Sequence, residues 1–217
     1  MADAAAEQEV AAGMARLLAS EGPRAGWKVA LNVAAVQTHF GLEGWLLGTV
    51  PEVGGPASGH RIAVPEGGRL KLEAELAVRL GAAGGAVSVD AVAPAFELVD
   101  YARPSDSLEA IVRHSFFHAA ALLGTTRAAF EPLTPPAPRV KRNGEVVREA
   151  VEALRVDSLE PILERAATLL AGHDVRLGAG EWILCGSLID PVSVRPGDVF
   201  DVDFGPLGSL HLDVDQV

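Results

Sequence analysis

Two glutamates, Glu73 and Glu75, lie in a stretch whose alternation is typical of a half-buried strand. Along residues 70–78 every second residue is apolar, so the two glutamates would share the opposite face. Their Cα atoms would then lie roughly 6.5–7 Å apart. Carboxylates at that spacing can converge on one hard cation, whereas unpaired carboxylates would repel each other. The alternative is a solvated outer face with scattered charges.

Two other apolar runs carry ionisable residues that are costly to bury alone. Lys28 lies within one run, and Glu97 and Asp100 lie within another. A buried amine or carboxylate needs an opposite charge, hydrogen bonds or a shifted pKa. Two alternatives remain open: Arg103 could pair with Asp100, and Lys28 could extend along the surface with its charge in water.

The three glutamates Glu73, Glu75 and Glu97 form a set of oxygen ligands that suits Mg²⁺ or Mn²⁺. Three carboxylates would leave about three coordination positions for water or substrate. Because such a site keeps one net negative charge, a nearby cation such as Lys28 would help it hold an anionic substrate. A metal chelated by a 2-oxo acid stabilises its enolate, which is the chemistry of hydration, decarboxylation and carbon–carbon cleavage.

The composition predicts one acidic domain of mixed helix and strand content. The chain has 217 residues, of which 49% are hydrophobic, enough for one sizeable core. A formal net charge of −11 disfavours nucleic-acid and anionic-membrane partners. The single cysteine, Cys185, fits a reducing compartment. The N-terminus is acidic where a signal peptide would be basic, and no apolar run is long enough to span a membrane. We therefore expect a cytoplasmic protein.

Apolar periodicity predicts the elements that must position these residues. Helices are predicted at residues 3–20, 33–41, 106–123 and 158–171. Strands are predicted at residues 70–78, 182–185, 199–204 and 209–214, and a long surface loop at 48–68. Asn143-Gly144 between alternating residues predicts a hairpin with a type I′ turn. A helix over 106–123 would place His114 and His118 on one face, which can ligate a transition metal but here has no obvious third ligand.

Several stretches, in order along the chain, resemble the 2-keto-4-pentenoate hydratase and 4-oxalocrotonate decarboxylase group of the fumarylacetoacetate hydrolase superfamily. The resembling stretches are residues 26–32, 72–77, 94–100, 180–187, 196–198 and 204–208. The resemblance implies an α+β fold, a mixed β-sandwich roll with flanking helices, in a single domain over residues 1–217. It implies a helical part at about 1–45, a β-roll core at about 46–217, and a homo-oligomer.

The same resemblance implies a role for each candidate residue. A divalent metal, Mg²⁺ or Mn²⁺, would be held by Glu73, Glu75 and Glu97. Lys28 would contact the substrate and assist proton transfer, and Asp100 and Ser187 would contribute to substrate binding. The family reaction adds water to 2-hydroxypenta-2,4-dienoate and gives 4-hydroxy-2-oxopentanoate, which requires a general acid–base.

Three alternatives stand beside the hydratase. A 2-oxo-3-enedioate decarboxylase would need a second cation facing the metal, for which Arg103 and Arg113 are candidates. A carbon–carbon hydrolase would need a His–Glu pair near the metal, and His39 and Glu43 are a poor match. A non-catalytic partner of a related enzyme is the third alternative, because residues 113–118 replace a run that lines the family's site. Absence of metal binding would favour that last alternative over the enzymes.

Overall fold

The computed structural model describes residues 3–20, 22–54, 60–83, 86–129, 136–154, 156 and 158–216. The helices in these ranges are α1 (Ala4–Ser20), α2 (Ala34–His39), α3 (Leu108–Arg113) and α4 (Glu160–Ala171). The strands are β1 (Gly26–Ala30), β2 (Leu46–Val50), β3 (His60–Ile62), β4 (Leu70–Ala83), β5 (Ala86–Asp100), β6 (His118–Leu123), β7 (Arg127–Ala128), β8 (Arg139–Arg142), β9 (Glu145–Glu149), β10 (Trp182–Ser187), β11 (Val192–Ser193), β12 (Val199–Asp203) and β13 (Ser209–Val214). Among the described helices, none has the length and hydropathy needed to cross a bilayer.

The strands form two mixed sheets that share one hydrophobic core. The larger sheet has the order β2-β1-β10-β4-β5-β6, with β11 paired to β4 and β7 paired to β5. The smaller sheet has the order β3-β13-β12-β8-β9. The β1–β10 and β13–β3 pairs are parallel, whereas the long β4–β5 pair is antiparallel. Phe96 in β5 and Phe204 after β12 lie 6.4 Å apart between ring centroids, where the two sheets meet.

The long strands β4 and β5 place the predicted acids. Leu72 and Leu76 of β4 are fully buried in the core, as the alternation predicted, so Glu73 and Glu75 occupy the opposite face. The antiparallel register sets Glu73 across from Glu97 of β5. Directly paired residues have Cβ atoms about 4.5–5.5 Å apart. Strand pairing therefore brings a third carboxylate beside the first two.

The predicted helix over 106–123 is wrong beyond its first turns. Helix α3 ends at Arg113, and residues 115–117 form a tight turn in which all three φ angles are positive, at 49°, 53° and 69°. Each such left-handed residue costs about 1–2 kcal/mol when it has a side chain. The following residues, from His118, form β6 and pair with β5. Pairing with a buried strand overrides the helix propensity of the alanines in this segment, so His114 and His118 do not share a helix face.

Other local predictions are confirmed. The predicted helices at 3–20, 33–41 and 158–171 correspond to α1, α2 and α4. Asn143 and Gly144 have φ angles of 54° and 85° and join β8 to β9, as a type I′ turn requires. The predicted loop over 48–68 is wrong at its start, where residues 48–50 belong to β2. It is also interrupted by β3, which pairs with β13, and its residues 55–59 lie outside the described ranges.

Candidate active site

Three carboxylates converge on the face of the larger sheet that is opposite the core leucines. One oxygen each from Glu73, Glu75 and Glu97 lies within 4.8 Å of the other two. Glu75 and Glu97 are fully buried, and Glu73 keeps part of its surface toward a cavity. The alternative of a solvated outer face is therefore wrong for these residues. Acids held this close would repel one another unless a cation or protons intervene.

Lys28 lies beside the acids, with only 3% of its surface exposed. It projects from β1, and its Nζ donates a hydrogen bond to Glu97 Oε1 and lies 3.4 Å from the carbonyl oxygen of Phe116. Gly48 of the neighbouring strand β2 makes room for this arrangement. A Cβ there would lie 3.0 Å from Lys28 Cγ and 2.6 Å from Ser115 Oγ. The Lys28 amine therefore contacts Glu97, as expected from the sequence, and the alternative of a surface lysine is wrong.

Gly186 orients Glu75 from the end of β10. Its N–H donates to Glu75 Oε2 at 2.9 Å. The pairing of β10 with β4 shifts register between Leu184 and Ser187, and Gly186 has a φ of 96° within that irregularity. A Cβ at this position would also lie 2.6 Å from Asn32 Nδ2. Both the left-handed backbone and the close approach require glycine.

His118 contacts Glu97, and this contact was not predicted from the sequence. Its Nδ1 donates to Glu97 Oε1 at 2.8 Å, and the ring is buried. The predicted helix would have set this residue beside His114 instead. The available signal was the short apolar run over 119–123, which ends at Gly124 and is typical of a buried strand.

The electrostatics of the acids follow from burial, mutual repulsion and the neighbouring cation. Burial, followed by the charge of Glu97, raises the pKa of Glu73 to about 7. Burial, followed by the charges of Glu97 and Glu73, raises the pKa of Glu75 well above its usual value. Burial alone would also raise the pKa of Glu97, but Lys28 and the hydrogen bond from His118 hold that pKa below its usual value. In the absence of a bound cation, ionisation of all three acids is therefore unfavourable.

The oxygen atoms that remain unsatisfied fit a bound cation. Glu75 Oε1 and Glu97 Oε2 are buried and accept no hydrogen bond from the described residues. Leaving a buried acceptor unsatisfied costs about 1–3 kcal/mol, and more when the group is charged. A divalent cation that prefers oxygen ligands would satisfy both atoms, with Glu73 as a third ligand. The donor set therefore fits Mg²⁺ or Mn²⁺.

A cavity of about 280 Å³ opens next to the acids. Its polar lining includes Lys28, Asn32, Glu73, Ser187 and Asp190. Its other walls are mostly apolar or aromatic and include Val99, Tyr101, Phe116, Phe117, Leu154 and Ile189. The rings of Tyr101 and Phe117 stack at 5.2 Å between centroids. The volume and lining suit a small organic acid with a short apolar part.

The two residues predicted to assist substrate binding have different positions. Ser187 lines the cavity, and its Oγ donates to the carbonyl oxygen of Ile189 at 2.8 Å. Asp100 does not line it. The Asp100 carboxylate accepts hydrogen bonds from the backbone N–H groups of Arg69 at 2.8 Å and Ala102 at 3.0 Å. Asp100 therefore organises the turn after β5, and the structure does not bring it to the cavity as predicted.

The residues weighed for the alternative activities also do not line the cavity next to the acids. Arg103 and Arg113 line a separate cavity of about 750 Å³. His39 and Glu43 do not line the acid cavity, and the ring of His39 packs edge-on against Phe40. Among the described residues that line the acid cavity, Lys28 is the only one with a cationic side chain.

Comparison with known proteins gives one partial sequence match. A segment of 69 residues is 41% identical to the 2-oxo-hept-4-ene-1,7-dioate hydratase of Escherichia coli. The match spans 32% of this chain and only 26% of that enzyme. No family model matches the chain.

Solved structures match over most of the chain. The 4-oxalocrotonate decarboxylase from Pseudomonas putida G7, complexed with magnesium and adipate, superposes with a TM-score of 0.74 at 20% identity, covering 99% of this chain and 100% of that one. The fumarylpyruvate hydrolase from Pseudomonas aeruginosa, in complex with Mn²⁺ and pyruvate, gives a TM-score of 0.61 at 18% identity, covering 90% and 91%. These likenesses confirm the predicted α+β fumarylacetoacetate hydrolase-like fold.

Proposed function

We propose that this chain belongs to the fumarylacetoacetate hydrolase superfamily and is a divalent-metal-dependent enzyme that acts on a small 2-oxo acid. The observation that carries the proposal is the convergence of three largely buried carboxylates and one buried lysine at the wall of a small cavity. Glu73, Glu75 and Glu97 would hold Mg²⁺ or Mn²⁺. The cation would supply Lewis-acid stabilisation of negative charge on the 2-oxo acid. The magnesium and manganese complexes of the similar enzymes support this assignment.

The reaction that we propose is hydration of a 2-hydroxy-2,4-dienoate to a 4-hydroxy-2-oxo acid. The enol hydroxyl loses a proton and C5 gains one, and water then adds its oxygen to C4 while C3 gains a proton. Lys28 is the candidate for moving these protons, because its Nζ lies at the junction of the acids and the cavity. Ser187 would orient the substrate from the cavity wall. The aromatic rings of Phe116 and Phe117 would exclude water from the side of the dienoate tail.

The second candidate is decarboxylation of a 2-oxo-3-enedioate, which the likeness to 4-oxalocrotonate decarboxylase favours. The chemistry of the cavity argues for the hydratase. A dioate carries a second carboxylate, and the described lining provides no cation besides Lys28 while it includes the acidic Asp190. Lys71 lies outside that lining, with its Nζ 4.8 Å from the ring centroid of Tyr101. The two arginines that would favour a decarboxylase line the other cavity. The partial match to a hydratase supports hydration as the type of reaction, although the substrate in that enzyme's name is itself a dioate, so the match does not support a substrate with a single carboxylate.

The test supplies Mn²⁺ and 2-hydroxypenta-2,4-dienoate and follows loss of the dienol absorbance, with product identified by mass. The hydratase predicts a gain of one water without release of CO₂. A parallel assay supplies Mn²⁺ and a 2-oxo-3-enedioate, and CO₂ release there would support the decarboxylase. Glu75→Gln is the control variant, because it removes one candidate ligand charge. Unchanged turnover in that variant would contradict the metal-dependent mechanism. A homo-oligomeric state and a cytoplasmic location stay predictions from the sequence.

A further inference from the structure

The two carboxylate oxygens of Glu97 have different surroundings. Oε1 accepts hydrogen bonds from Lys28 Nζ and from His118 Nδ1. Oε2 is buried and accepts no hydrogen bond from the described residues. Two donors on one oxygen fix the orientation of a carboxylate, and the second oxygen stays available as a metal ligand.

We propose that His118 is a positioning residue of the metal centre, whose Nδ1–H holds the Glu97 carboxylate in the orientation that binds the cation. This inference rests on the metal centre in the proposed function and is independent of the substrate. Groups that hydrogen-bond to a metal-binding carboxylate orient it, and their loss typically weakens metal binding 10–100-fold. Lys28 gives Oε1 one donor from β1, and His118 gives the same oxygen a second donor from β6, on the other side of β5 in the sheet order.

A tight turn over residues 115–117 places His118 beside Glu97. The three preceding residues all have positive φ angles, and His118 is the first residue of β6. Ser115 ties the turn to β2, because its Oγ donates to the carbonyl oxygen of Thr49 and accepts from the Thr49 N–H, both at 2.8 Å. Residues 113–118, where the chain departs from the family that it resembles, therefore supply a group that orders Glu97.

If His118 only filled space, loss of its Nδ1 donor would not weaken metal binding. Two substitutions separate this role from the positioning role. In His118→Asn the side-chain amide nitrogen can occupy nearly the position of Nδ1, so it can donate to Glu97. In His118→Gln the longer side chain carries its amide nitrogen to nearly the position of Nε2, away from Glu97. Both variants are uncharged and polar, so they differ chiefly in where the donor lies.

The experiment measures Mn²⁺ binding by isothermal titration calorimetry on the full chain, with thermal unfolding as a check that each variant is folded. We expect the dissociation constant for Mn²⁺ to rise about 10–100-fold in His118→Ala and in His118→Gln, and to stay within about threefold of wild type in His118→Asn. The matched control is His114→Ala, which removes a partly exposed histidine of the same segment that does not contact the acids. It should change the constant less than twofold.

The outcomes separate this inference from the proposed function. If wild type binds no Mn²⁺, the proposed metal centre itself is wrong. If wild type binds Mn²⁺ and His118→Ala binds it equally well, the positioning role is wrong while the metal centre stands. Should His118→Ala fail to fold, the comparison of the Asn and Gln variants decides: equal affinity in those two would overturn the role of the Nδ1 donor.

Discussion

Replacing Glu73 by glutamine should stabilise the metal-free protein, and more so at higher pH. The pKa of Glu73 is raised from its usual 4.5 to about 7, first by burial and then by Glu97. The folded chain therefore binds more protons than the unfolded chain between these values, and stability falls as the pH rises through that window. A pKa shift of this size lowers the free energy of unfolding by about 1 kcal/mol at pH 5 and by about 3 kcal/mol at pH 8.

The assay is urea unfolding in excess chelator at pH 5 and pH 8. Glu73→Gln keeps the shape of the side chain without its charge, so we expect it to be more stable than wild type by about those amounts. Glu66→Gln is the control, since Glu66 is exposed, and it should change the free energy of unfolding by less than about 0.5 kcal/mol at both pH values. A Glu73→Gln protein that is no more stable than wild type at pH 8 would refute the crowding of buried charges on which the site rests.

Two other substitutions test the groups around the acids. Lys28→Met leaves the buried Glu97 carboxylate without its cation, so it should destabilise the protein by about 3–5 kcal/mol in urea unfolding and abolish turnover; retained turnover would exclude Lys28 from proton transfer. Gly186→Ala forces a side chain into a left-handed position and against Asn32, so we expect a loss of about 1–3 kcal/mol together with weaker Mn²⁺ binding, measured by unfolding and calorimetry. Wild-type Mn²⁺ affinity in that variant would show that the Gly186 N–H does not help to place Glu75.

Strand β4, which carries Glu73 and Glu75, was predictable because its period of two is a local property of the sequence. Alternation alone predicted that Glu73 and Glu75 share one face of the strand. Because the leucines of the opposite face are buried in the core, the orientation of the strand is fixed. The hairpin at Asn143-Gly144 was predictable for a similar reason, because its turn type depends on those two residues alone. Glu97 was singled out because an acid within an apolar run needs a partner, and the family resemblance then implied the same three glutamates as the metal ligands.

The contacts that depend on distant strands could not be predicted from local patterns. His118 contacts Glu97 only because its segment leaves the helix and pairs with β5, and alanine-rich sequence favours the helix when it is considered alone. The family resemblance implied that Asp100 contributes to substrate binding, and the apolar run around it indicated only that a buried acid there needs a partner. The Asp100 carboxylate instead accepts hydrogen bonds from two backbone N–H groups, those of Ala102 in the adjacent turn and of Arg69, the residue before β4.

The proposed metal centre can be tested most directly by diffraction from crystals grown with Mn²⁺ and oxalate, with data collected at the manganese absorption edge. We expect a single anomalous peak among Glu73, Glu75 and Glu97, with oxalate in the adjoining cavity beside Lys28. Loss of that peak in Glu75→Gln crystals would support the same assignment. Manganese bound elsewhere on the chain, with no peak among the three glutamates, would contradict it.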